Sequence, residues 1–78
     1  MVHLTAWRFA TSERWTVAWA IGHEAQLVRR SDGSVRTFLP PVEQGNACTF
    51  GFDADGRELW AVEDDGEHAT LHRFALPE

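Results

Sequence analysis

The sequence predicts an all-β domain, a small antiparallel meander of about seven strands closing as a barrel or sandwich. Turn signals recur every eight to twelve residues, closer than a helical protein places them. In the clearest segment, Trp15, Val17, Trp19 and Ile21 alternate with Thr16, Ala18 and Ala20, the period of two that a half-buried strand requires. Four Trp, five Phe, six Leu and six Val in 78 residues can fill one core, each large side chain contributing roughly 1.5–3 kcal/mol when buried. A chain this short has no room for a second core, so residues 1–78 read as one domain.

The turns fall at Thr11 to Arg14, Gly22-His23, Asp32-Gly33, Pro40 to Ala47, Asp55-Gly56 and Asp65-Gly66. The strands between them span about 3–10, 15–21, 24–30, 35–39, 48–52, 57–62 and 67–75. Pro40-Pro41 opens the one long loop, with Gly45 and Asn46 near its end. Reading Asp65-Gly66 as a two-residue hairpin loop and Ala54-Asp55-Gly56 as a three-residue loop sets Phe50 opposite Trp60 and Trp60 opposite Leu71. The same register sets Cys48 beside Val62, Val62 beside Ala69, and Glu58 between Phe52 and Arg73. One face is then apolar with Trp60 at its centre, and the other shows Leu59, Ala61, His68, Thr70, His72 and Phe74. The alternative for the C-terminal segment is a helix over 66–76, capped by Asp65 and stopped by Pro77.

The net charge of −5 conceals an asymmetry. Residues 1–42 carry five Arg against three acids, leaving +2, whereas residues 43–78 carry nine acids against Arg57 and Arg73, leaving −7. An acidic surface repels phosphate and attracts basic protein, which argues against direct nucleic-acid binding. Cys48 is the only cysteine, which excludes an intrachain disulfide; with no signal-peptide pattern ahead of it, a cytoplasmic location is expected. The longest uncharged run in the first half, Trp15 to His23, is too short to cross a membrane as a helix.

The chain also carries an internal echo. A shift of 44 places Gly22 on Gly66, Ala25 on Ala69, Leu27 on Leu71 and Arg29 on Arg73; with one inserted residue, Phe9 and Arg14 fall on Phe52 and Arg57. The domain thus reads as two similar hairpin halves, about 3–39 and 48–76. The stretch from Phe50 to Val62, with Phe52-Asp53-Ala54-Asp55-Gly56-Arg57-Glu58-Leu59 at its centre, resembles the strand and turn of β-propeller blades. The resemblance covers about 25 residues and carries no functional residues with it. It implies that two blade-like halves would oligomerise or pack face to face.

Few residues are arranged for chemistry. His68 and His72 would converge on one ion only on a helix; on a strand they lie about 13 Å apart, too far for bonds of about 2 Å to zinc. His3 and His23 are isolated. Cys48 falls among apolar neighbours, and the carboxylates Asp53, Asp55, Glu63, Asp64, Asp65 and Glu67 cluster in turns, where Asp serves the backbone. Trp7, Trp15, Trp19 and Trp60 read as core. No enzymatic activity, metal or cofactor is expected.

What remains is a small acidic protein-binding module. Its expected contact residues are Asp53, Asp55, Glu63, Asp64, Asp65 and Glu67, directed at a basic partner surface, with Arg29, Arg30 and Arg36 as a secondary patch. In size and charge the chain is similar to phage-encoded inhibitors such as anti-CRISPR proteins, which as a class occupy nucleic-acid-binding surfaces. The alternative is a carbohydrate or small-ligand binder built from the repeated hairpins that forms a homo-oligomer. Folding without metal predicts that thermal melts with and without a chelator coincide; a drop of more than about 5 °C, roughly 1 kcal/mol for a domain this size, would contradict it.

Overall fold

The computed structural model describes residues 7–20, 23–40, 42 and 46–77. The expected beginning of the first strand with His3, the pair Ile21 and Gly22, and Gly45 of the long loop lie outside the described residues. Seven strands follow in order: β1 (Arg8–Thr11), β2 (Trp15–Trp19), β3 (Ala25–Arg29), β4 (Val35–Phe38), β5 (Ala47–Phe52), β6 (Glu58–Asp64) and β7 (Ala69–Ala75). They form two antiparallel sheets, ordered β1-β2-β3-β4 and β5-β6-β7, and not a single continuous meander. No barrel closes, because no ladder joins the two sheets among the described residues. The helical alternative over 66–76 is replaced by β7, which pairs with β6 along its whole length from Ala69 to Ala75.

The alternation that marks β2 decides which way sheet 1 faces. Trp15, Val17 and Trp19 turn inward with Ala25 and Leu27 of β3, and meet Phe50 of β5 and Leu59 and Ala61 of β6 in one core. Phe50 is 4% exposed. Its ring packs edge-on against Trp19, with centroids 5.3 Å apart, and against Phe38 of β4 at 5.7 Å. Ala10, Cys48, Phe52 and Leu76 close the margins. Leu76 is held there by its amide, which donates to the Arg57 carbonyl at 2.8 Å.

The register of sheet 2 departs from the expected one, and the turns show why. Asp53 Oδ1 accepts hydrogen bonds from both Arg57 N (2.8 Å) and Glu58 N (2.9 Å), while Asp53 N donates to the Glu58 carbonyl. The loop therefore spans four residues, 54–57, with Gly56 in the left-handed region at φ 69°. One residue more than expected slides β5 against β6 by one, which turns every side chain of β6 to the other face relative to β5. Phe50 pairs with Ala61, Cys48 with Glu63 and Phe52 with Leu59; Trp60 lies opposite Gly51.

At the next turn a two-residue loop does form, but one position later. Asp65 N donates to the His68 carbonyl, so Gly66 and Glu67 are the loop, with Gly66 in the left-handed region at φ 95°. Trp60 then faces Arg73, Val62 faces Leu71 and Asp64 faces Ala69. The face expected to be core, carrying Trp60, Val62 and Leu71, is the outer face, and Leu59 and Ala61 are buried in its place.

The echo between the halves survives as strands but not as faces. Leu27 lies opposite Val17 in the core, while its counterpart Leu71 lies opposite Val62 outside. Of the four tryptophans, Trp15 and Trp19 are buried, Trp60 is half-buried and Trp7 is exposed beside His23. Phe50→Ala is expected to cost about 3–5 kcal/mol in denaturant unfolding, whereas Trp60→Ala on the outer face costs less than half of that. Equal losses would mean that Trp60 carries the core.

Candidate functional site

The outer face of β6 and β7 is unusually apolar for a solvent-facing surface. Val62 and Leu71, directly paired across the two strands, are 39% and 50% exposed. Trp60 is their neighbour on β6, and its indole Nε1–H is covered yet has no hydrogen-bond acceptor. An unsatisfied covered donor costs roughly 1–3 kcal/mol. At the margin, Arg73 Nη2 lies 2.7 Å from Glu58 Oε1; the expected pair forms, but diagonally, since Glu58 is paired with Ala75. That bond to Glu58 raises the Arg73 pKa above its ordinary value. β7 pairs with β6 alone, so it is an edge strand.

The expected acidic residues frame this face at its two ends. Asp53 and Asp55 sit in the β5–β6 turn, and Glu63, Asp64, Asp65 and Glu67 sit about 20 Å away at the other end of β6. Three of the aspartates build turns: Asp53 as described, Asp64 through Oδ1 to Gly66 N (2.8 Å), and Asp65 through Oδ1 to Glu67 N (2.8 Å) and His68 N (2.7 Å). The amides of Glu67 and His68 hold the Asp65 carboxyl below its usual range. Asp55 and Glu67 are exposed.

Glu63 plays a different part. Its side chain is 13% exposed, with Oε2 accepting from Asn46 Nδ2 at 2.7 Å and Oε1 lying 3.1 Å from His72 Nε2. This half-buried link between β6 and β7 was hidden from sequence reasoning, because the expected register set His68 opposite Glu63 and the real one sets Thr70 there, with His72 on the diagonal. Cys48 is paired with Glu63, and burial first, then the Glu63 charge, pushes its thiol pKa up, so the sulfur stays protonated at neutral pH. His72 lies on β7, opposite Ala61, and His68 directly precedes that strand. Among the described residues no group of three His, Cys, Asp or Glu could hold a metal ion.

The arginine patch is only partly assembled. Arg29 and Arg30 stand at the end of β3, with the Arg29 guanidinium 5.0 Å from the Trp15 ring centroid and Arg30 Nη1 donating to the carbonyls of Ser12 (2.8 Å) and Glu13 (3.3 Å). Arg36 lies on β4 opposite Leu27, away from that end. Arg14, in the β1–β2 turn, takes its place beside Arg29 and Arg30. Its place there follows from the strand pairing, in which Arg30 N donates to the Arg14 carbonyl at 2.8 Å.

Searches of known protein families, of curated proteins and of solved structures find no match to the chain. Among the described residues no helix is long and apolar enough to cross a membrane.

The turn carboxylates give the fold a pH dependence of definite sign. A carboxyl with a depressed folded pKa stabilises the native state above its unfolded pKa of about 3.9, and that contribution is lost as pH falls through the lower folded value. Asp65 is one such group, and Asp32 is another, lowered chiefly by the Ser34 amide. Asp65→Asn should therefore lower the melting temperature at pH 7, and the gap to the wild type should shrink as pH is lowered from about 4 toward 2. A gap independent of pH would show that the carboxylate charge plays no part in the turn.

Proposed function

We propose that this chain is a non-enzymatic protein-binding module that docks the outer face of β6 and β7 onto a basic surface of another protein. The observation that supports this most directly is the juxtaposition of an exposed apolar pair, Val62 and Leu71, with acidic turns at both ends of the same strands. Apolar surface at the centre and charge at the rim is the anatomy of a protein interface. The acids supply steering and the apolar pair supplies contact area.

The surface such a module would cover is basic, of the kind that binds nucleic acid, and the activity that follows is inhibition by occupancy. Glu63, Asp64 and Asp65 contribute through their charge while their bonds hold the turn and the strand pair. Asp55 and Glu67, exposed at opposite ends, are the acids best placed for direct contact.

The exposed aromatic surface of the other sheet supports a second reading, a ligand binder that self-associates. Phe9 is 68% exposed on the face of β1 and lies opposite Ala18. Sedimentation equilibrium separates the two readings: a dimer dispersed by Phe9→Glu favours self-association, and a monomer favours a foreign partner.

The sign of the partner's charge is tested at Leu71, half exposed on an edge strand, where substitution leaves the melting temperature nearly unchanged. Against a partner captured by the wild-type chain, Leu71→Lys should weaken binding at least tenfold more than Leu71→Glu, about 1.4 kcal/mol, with an on-rate that falls as salt rises. Equal effects of the two substitutions, or binding indifferent to both, would overturn the reading.

A further inference from the structure

Three arginines line one pocket, at the end of the molecule where the β1–β2 turn, the β3–β4 turn and Pro77 meet. The pocket has a volume of about 540 Å³ and is lined by Arg14, Arg29 and Arg30 together with Glu13, Trp15 and Pro77. Among the described residues no carboxylate lies within ion-pair distance of these arginines. A second hollow of about 390 Å³ adjoins it, sharing Glu13, Arg14, Trp15 and Pro77 and adding Arg57 and Asp55. A volume of this order is that of a small-molecule site.

Two of the guanidinium groups are fixed before any ligand arrives. Arg29 is stacked on Trp15, which is itself 3% exposed and so cannot move away. Arg30 is anchored through Nη1 to the carbonyls of Ser12 and Glu13, leaving its remaining donors free for another acceptor. A stacked guanidinium keeps its N–H edge available, and restraint of this kind reduces the ordering cost of binding. Arg14 projects from the turn between them and is exposed. Among the described residues Glu13 is the one acid lining this pocket, so its three arginines exceed its carboxylates by two, while in the adjoining hollow Glu13 and Asp55 match Arg14 and Arg57. Asp32 is near enough to Arg29 to feel its charge, but its Oδ1 is engaged by Ser34 N at 2.9 Å.

We infer that this pocket binds a small organic molecule through a phosphate monoester group, held by Arg14, Arg29 and Arg30. A single carboxylate presents two coplanar oxygens and is satisfied by one guanidinium fork, which would leave one positive charge of the excess and most of the guanidinium donors unmatched. A phosphate monoester near neutral pH carries close to two negative charges and three acceptor oxygens directed away from its ester bond, matching both the local charge and the number of donors. The apolar contribution of Pro77 and the Trp15 edge then falls to the organic body of the ligand. A nucleic-acid strand fits less well, because the rest of the molecule carries the net negative charge that repels a polyanion. The inference does not rest on the docking face of β6 and β7, on which none of Arg14, Arg29 and Arg30 lies.

The experiment is a two-dimensional NMR titration at fixed ionic strength, following the Trp15 indole N–H and the Arg29 Nε–H, with phenyl phosphate, inorganic phosphate and benzoate as probes. Phenyl phosphate should saturate both resonances and bind at least tenfold tighter than benzoate, with inorganic phosphate between them. Arg14→Gln and Arg29→Gln should each weaken phenyl phosphate at least fivefold, while Arg36→Gln, on β4 outside the pocket, leaves it unchanged. A folded Arg14→Gln protein, recognised by an unaltered spectrum of β6 and β7, keeps the test valid even if Arg29→Gln disturbs Trp15. The inference is overturned if phenyl phosphate fails to saturate, if benzoate binds as well, or if Arg36→Gln weakens binding as much as Arg14→Gln does.

Discussion

Phe50 stands where the two sheets meet, with its ring edge-on to Trp19 of β2 and to Phe38 of β4. Aromatic pairs in this geometry contribute about 0.5–1.5 kcal/mol each beyond the area they bury. They are also directional, and that matters more here. With Phe50 turned into the core, Thr49 and Gly51 must turn out, and through the ladder to β6 so must Val62 and Trp60. Leu71 follows across the next ladder. The exposed apolar pair on the outer face is therefore a consequence of one inward ring, since a strand cannot send both sets of side chains to the same side.

The aspartates of the turns link this packing to the surface charge. Asp53 and Asp65 each collect two backbone amides through a single carboxylate oxygen, and those bonds set the loop lengths that decide the register. Binding amides does not neutralise a carboxylate. For Asp65 the same bonds favour the ionised form, so the turn keeps its charge at neutral pH. One group thereby fixes which face is outward and keeps charge beside it. The roles expected of these residues at the outset, turn building and partner contact, are thus compatible at Asp65, whereas Glu63 is committed to Asn46 and His72 inside the hairpin.

What could be read from the sequence were the properties carried by neighbouring residues. The strands lie close to where alternation and turn residues set them, and β2 was legible in full because Trp15, Val17 and Trp19 alternate without interruption. Pairing was harder, because it turns on a single residue of loop length. Ala54-Asp55-Gly56 fits a three-residue loop by composition, and only the reach of the Asp53 carboxylate to Arg57 N and Glu58 N shows that four are needed. That one residue moved Trp60 from core to surface. The arginine pocket was half legible: Arg29 and Arg30 are adjacent in the chain, but Arg14 joins them only through the β2–β3 pairing, which the sequence did not let Arg36 satisfy.

The distribution of charge along β6 follows from the same geometry. At the β5–β6 end, Asp55 shares a hollow with Arg57 and Arg14, so acids and bases offset one another over distances shorter than the screening length of about 8–10 Å. At the β6–β7 end, Glu63, Asp64, Asp65 and Glu67 fall within five residues of one another, with Asp65 beside His68 and Glu63 beside His72. Four of the acids of the C-terminal half thus gather at one end of sheet 2, at the β6–β7 turn near the exposed Leu71. A basic partner approaching under that field meets the apolar pair from the hairpin end, about 20 Å from the arginine pocket, so an anion held by Arg14, Arg29 and Arg30 and a cationic surface held by the acidic hairpin would not compete for the same space.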